Sequence, residues 1–257
     1  MADQSATISR ELFSTVIATN EVGNLENAYL LSHAGTSNSG FSVGAFQLDL
    51  AHQPSARAKV ESFLAQSDAF NAADLATINE GLLTSGEPNA IAANLKATVN
   101  AQFATAEGHA MIDALDAVQL NALMSYIGQA CDDTQANPRY AADPAFKAFS
   151  DSDLFQALIG DNANQYGPPN TFGRYIQGQA VAVGGATVQL GDHPWNLETF
   201  ASYEAHYSYV RSSEQGAHDM RRRRTNIVNV LAANNALGDI NQADCLTIIQ
   251  TVYQATG

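Results

Sequence analysis

Apolar residues at helical spacing run through most of the chain. Between Ser9 and Asn20, Leu12, Phe13, Val16 and Ile17 share one face of a helix, and Ser5, Thr7 and Ser9 are candidate N-caps for it. Glu21 falls about one turn beyond that stripe. The run from Gly35 to Gly44 then reads as turns or a small hairpin, with Phe41, Val43 and, just after it, Phe46 as its bulky residues.

From Pro54 to Asp116 the pattern is helical and alanine-rich, with Phe63, Leu64, Phe70, Leu75, Ile78, Leu82 and Leu83 at three- and four-residue steps. Gly86 and Pro88 interrupt it, and Ile91 to Phe103 resumes it. A further helix is predicted from Asp116 to Ile127. Residues 132–145 hold two prolines and read as a loop. Short helices follow at roughly 151–160 and 171–178. Ala180 to Leu190 alternates around Gly184-Gly185, the signature of a hairpin. Leu197 to Val210, Arg221 to Ala233 and Gln242 to Tyr253 complete the helices. The pattern shows neither an internal repeat nor a Pro- or Ser-rich linker. It predicts one domain over residues 1–257, mostly helical (α+β) with a small β element and an enlarged helical segment at about 54–116.

Composition narrows the classes. The 257 residues are 46% hydrophobic and 15% charged, enough apolar matter for a sizeable core and too little charge for a disordered chain. The formal charge is -14, and Lys59, Lys96 and Lys147 are the three lysines. An acidic surface argues against nucleic acid and anionic membranes as partners. No apolar run reaches the roughly 18 residues that span a bilayer. The first residues lack the basic region and apolar stretch of a signal peptide. Cys131 and Cys245 are too few for a disulfide framework or a structural zinc site, leaving one bridge or two buried thiols. Asp239, Asn241 and Asp244 lack the glycine turn of a calcium loop. Neither a metal nor another cofactor is expected.

The chemistry is concentrated at Glu21 and the segment from Gly40 to Asp49. Glu21, Ala28-Tyr29 and Gly40-Phe-Ser-Val-Gly44 resemble the phage-type lysozymes, with Ser42 at the position of that family's loop threonine. The order of similarity continues through Gln119 to Tyr126, Asp151 to Leu158 and Gly216 to Arg224, about half the chain in all. Ala45 to Asp49 also looks like the glutamine segment of lytic transglycosylases. Leu31 stands where the phage enzymes carry an Asp, and about five extra residues separate Tyr29 from Gly40.

The resemblance implies a lysozyme-like fold of two lobes around a cleft. It also implies a catalytic Glu21 and a polysaccharide substrate met outside the cell. A carboxyl group held in a partly apolar pocket keeps its proton, because burial penalises the charged form, and it can protonate a glycosidic leaving oxygen. Glu21, beside Val22 and the Val16–Ile17 face, is the candidate general acid. Hydrolysis needs a second carboxylate, for which Asp49 is the nearest acid in the loop. Ser42 is a candidate to position water, and Gln47, Tyr29, Arg174 and Tyr175 to bind sugar. The leading expectation is hydrolysis of a β-1,4-linked amino-sugar polymer of the peptidoglycan or chitosan type. The competing one is a lyase eliminating across a uronate, with His33 or Tyr29 as base and Arg174 or Arg221 to Arg224 neutralising the carboxylate. The third is an inactive glycan-binding protein.

Overall fold

The structure is a computed structural model and describes residues 8–35, 37–168 and 171–254. Ser5 and Thr7, named above as helix caps, and Thr36 lie outside the described residues. The chain forms two compact units: Ile17–Asn121, and Met1–Val16 together with Ala122–Gly257. The unit boundaries fall inside two helices, α1 (Arg10–Glu21) and α5 (Ala106–Gln135). The first starts where expected, with the Ser9 hydroxyl accepting from Leu12 N–H at 3.1 Å.

In the Ile17–Asn121 unit, Asn24 caps a 3-10 turn, Leu25–Tyr29. Strands β1 (Ser32–His33), β2 (Phe41–Val43) and β3 (Leu48–Asp49) then form an antiparallel sheet in the order β1-β2-β3, with Ser42 opposite both Ser32 and Asp49. The sheet has three strands rather than the two of a hairpin because the chain reverses again at Gly44. There φ is +87°, and Gln47 N–H closes a turn onto the Gly44 carbonyl at 3.1 Å. All of β2 is buried.

Helices α2 (Pro54–Leu64), α3 (Ala72–Leu83) and α4 (Ala93–Phe103) follow, α3 opened by a reciprocal Asn71–Asp74 capping box. Val60, Leu64, Ile78, Leu82, Val99, Phe103 and Ile112 form the buried centre. The helix expected to begin at Asp116 begins ten residues earlier. Thr105 caps it, its hydroxyl accepting from Gly108 N–H at 3.0 Å, so Asp116 lies in the helix interior.

The other unit corrects the loop expected at 132–145. Helix α5 continues to Gln135, and the two prolines open helices α6 (Pro138–Ala142) and α7 (Pro144–Ser150), capped by Asn137 and Asp143. Proline at the first helical position loses no hydrogen bond, so here it starts helices rather than breaking them. Then come α8 (Asp153–Tyr166), α9 (Phe172–Ile176), the hairpin β4 (Val181–Val183) and β5 (Ala186–Val188), α10 (Leu197–Glu204), α11 (Ser208–Ser212), α12 (Glu214–Ala233) and α13 (Gln242–Val252). Trp195 centres the core, its ring 5.3–6.5 Å from those of Phe146, Phe149, Phe155, Phe172, Tyr175 and Phe200.

The arginine run divides between faces of α12. Arg222 pairs with Asp219 at the surface, while Arg223 and Arg224 are buried against Asp161, and Arg224 also against Glu204. The Tyr253 hydroxyl donates to Glu204 at 2.8 Å. Cys131 and Cys245 are buried thiols that are not joined in a disulfide.

Candidate functional site

Glu21 is the last residue of α1 and is half-buried. The chain leaves it through Gly23, and the Asn27 amide donates to the Val22 carbonyl at 2.7 Å, folding the 3-10 turn back on the helix end. One step further, Gly44 N–H donates to the Ala28 carbonyl at 2.9 Å. The segment after Glu21 and the glycine turn expected opposite it are therefore joined by a backbone hydrogen bond.

The sheet gathers polar groups at this turn. The Ser32 hydroxyl donates to Gln47 Oε1 at 2.6 Å, and the Gln47 amide donates to the Gly44 carbonyl at 3.2 Å. Gln47 has φ +51°, a left-handed conformation uncommon for a long side chain, and those two bonds hold it. Ser42 is buried between the two neighbouring strands.

Asp49 has both oxygens engaged, accepting from Gly40 N–H at 3.1 Å and Ala51 N–H at 3.0 Å, with His52 Nδ1 at 3.1 Å. That geometry clamps the strand ends and leaves its carboxylate little capacity to activate water. His33 Nδ1 accepts from Gly35 N–H at 2.9 Å, which places the proton of a neutral ring on Nε2. Nε2 is buried without a partner, and the ring meets Phe41 edge-on at 5.1 Å. In this tautomer His33 has no free lone pair with which to take a proton.

The long helix contributes residues that the sequence pattern did not single out. His109, Asp113 and Asp116 stand at i, i+4 and i+7, on one face of α5. Tyr29 stacks on His109, with ring centroids 3.7 Å apart and planes 9° from parallel, and its hydroxyl donates to Asp113 at 2.8 Å. Burial, then the bond to Asp113, pushes the Tyr29 phenol up to about 12, away from use as a ready base.

Asp116 Oδ2 accepts from Ala45 N–H at 2.8 Å, and Oδ1 is buried without a partner. Burial raises its carboxyl to about 6 against the opposing pull of the Ala45 and Phe46 N–H groups, and Asp113 adds to the rise. Gly44 is fixed by the same contact, since a Cβ there would lie 2.2 Å from Asp116 Oδ1. Three titratable groups at helical spacing were visible in the sequence. Such a row normally marks a solvated helix face, and only the fold shows a loop seated on it.

Arg174 and Tyr175 belong to the other unit. Arg174 is exposed and bonds Gln179 at 3.1 Å, and Tyr175 is buried among aromatic rings. Of the Arg221 to Arg224 run, Arg223 and Arg224 are committed to internal ion pairs. Among the described residues, no group of three or more His, Cys, Asp or Glu side chains is arranged to hold a metal ion, and no helix is long and apolar enough to cross a membrane. No protein-family model, curated protein or solved structure matches the chain.

Proposed function

We propose that this chain hydrolyses a β-1,4-linked amino-sugar polymer of the peptidoglycan or chitosan type, cutting within the chain on a lysozyme-like scaffold, with Glu21 as general acid. The observation that carries this reading is the setting of Glu21. It closes α1 and leads, through the 3-10 turn Leu25–Tyr29, into a small antiparallel sheet whose glycine turn is bonded back to Ala28. Glu21 protonates the leaving oxygen. Ser32 and Gln47, the partly exposed polar side chains of the turn, offer hydroxyl and amide groups to the sugar, while Ser42 is buried between the strands. Asp116, which accepts from the Ala45 N–H of the same turn, replaces Asp49 as the candidate second carboxyl group, because both Asp49 oxygens already hold the strand ends. Fold analogy alone would not specify the chemistry, so the reading rests on these side chains.

The test is incubation of the intact protein with peptidoglycan, chitosan and uronate polymers, following reducing ends and the ultraviolet absorbance of an unsaturated uronate. New reducing ends without absorbance are expected. Glu21→Gln keeps the shape of the side chain without a proton to donate, and turnover should fall by about a hundredfold or more while the circular dichroism is unchanged. Absorbing products would replace hydrolysis with elimination. Binding without cleavage would leave a glycan-binding protein. Near-normal turnover in Glu21→Gln would remove Glu21 from the mechanism.

A further inference from the structure

The unit containing Ala122–Gly257 holds a cavity of about 390 Å³, in the range of small-molecule sites. Tyr175 and Tyr203 are buried in its lining, with rings 4.6 Å apart, while Gln189, Glu198 and His206 are polar residues of the same wall. Its frame is fixed on two sides. The β4–β5 hairpin turns at Gly184-Gly185, and Gly184 sits so close to the end of α10 that a Cβ there would lie 1.8 Å from the His206 carbonyl oxygen. Behind Tyr175 lies the Trp195 cluster.

Glu198, Gln189 and His206 leave hydrogen-bond acceptors on the wall, beside the donors of Asn196 and Ser202. Gln189 donates one amide N–H to the Gly178 carbonyl at 2.7 Å, which leaves Oε1 and the second N–H facing outward from that bond. His206 Nδ1 lies 2.7 Å from the Ser202 carbonyl, so Nδ1 carries the proton and Nε2 keeps the lone pair. Glu198 adds a carboxylate. Among the described residues, no lysine or arginine lines the cavity. A phosphate or uronate would find no lysine or arginine here, whereas a protonated amine would meet the Glu198 carboxylate and hydroxyls would meet Gln189 Oε1 and His206 Nε2.

We propose that this cavity binds a glucosamine-type pyranose bearing a protonated amino group, with Glu198 as counter-ion and Gln189 and His206 accepting from hydroxyls. The site does not depend on Glu21 as a catalyst. The assay titrates a β-1,4-glucosamine tetramer into isotope-labelled full-length Glu21→Gln, so that substrate is not consumed, and follows amide shifts. A galacturonate tetramer serves as the anionic control. Shifts at Gln189, Glu198 and His206 are expected, saturating with glucosamine and absent with the uronate. Glu198→Gln and Gln189→Ala are surface changes whose folding is checked by the unchanged remainder of the spectrum. Glu198→Gln should weaken the glucosamine response by about tenfold, the scale of one hydrogen bond to a charged group. Shifts confined to Glu21 and its neighbours, equal response to the uronate, no response at millimolar ligand, or full binding by both variants would each overturn the proposal. Because the readout is local to this cavity, its failure is separable from loss of cleavage at Glu21.

Discussion

Asp116 is held in a setting that penalises its charge, and that penalty can be measured. Burial lifts the carboxyl from its ordinary 3.8 to about 6 in the folded chain, whereas in the unfolded chain it returns to the ordinary value. The folded state therefore binds the proton more tightly. Its contribution is unpenalised below pH 3.8, weakens as pH rises from 3.8 to 6, and is fully penalised above about 6. At about 1.4 kcal/mol per pH unit, the loss across that window is on the order of 3 kcal/mol.

Asp116→Asn removes the titration. It also introduces an amide N–H where Oδ1 has no partner, a cost of about 1 to 3 kcal/mol that does not depend on pH. The informative quantity is thus the change in the difference between variant and parent, since groups common to both proteins cancel. Urea unfolding at about pH 4 and about pH 7.5 should show the variant gaining roughly 2 to 3 kcal/mol on the parent between the two. Asp113→Asn, which removes the like charge that adds to the rise, should reproduce only a small part of this. A variant–parent difference that is the same at both pH values would refute the assignment of a penalised Asp116 carboxylate. The preference for Asp116 over Asp49 as the proposed second acid would then rest only on the hydrogen bonds that occupy both Asp49 oxygens.

Two further predictions test the frame of the other unit. Arg224→Met leaves Asp161 and Glu204 buried without their shared cation and should destabilise by about 3 to 5 kcal/mol in chemical denaturation; a loss below about 1 kcal/mol would mean that the pair is internally relaxed or hydrated. Gly184→Ala forces a Cβ onto the His206 carbonyl at a residue with φ +54°, so the hairpin must move; a lower midpoint in thermal unfolding and loss of the glucosamine response at Gln189 are expected, and an unchanged response would show that the hairpin does not shape the cavity.

Local signals in the sequence identified the elements whose causes are local. The Phe13–Val16–Ile17 face is buried as its spacing predicts, and the Gly184-Gly185 hairpin pairs Val181 with Val188. The misread segments share one cause: the same residue type serves two purposes. Pro138 and Pro144 suggested a loop, yet each opens a helix because a cap residue stands immediately before it. Strands of two or three residues such as Ser32–His33 and Leu48–Asp49 are too short for alternation to show, and they exist because the Gly44 turn brings them beside β2.

The site divides along the same line. Glu21, Ser42 and Gln47 lie within thirty residues of one another, and a linear pattern could group them. The acids of α5 that meet the same segment, Asp116 and Asp113, stand 71 residues from Ala45 and 84 from Tyr29, a separation that periodicity does not register. Within its own helix Asp116 is an ordinary polar position. At Leu31, where the phage-type lysozymes carry an Asp, the sequence has no acid, and the linear pattern names no acid outside the loop in its place. Leu31 is buried, and its N–H donates to the Asn100 side chain at 2.8 Å, so that position anchors the strand. The acids that meet the loop come from the distant helix instead. On that argument a double-variant cycle between Glu21 and Asp116, rather than between Glu21 and Asp49, is where coupling in turnover should be sought.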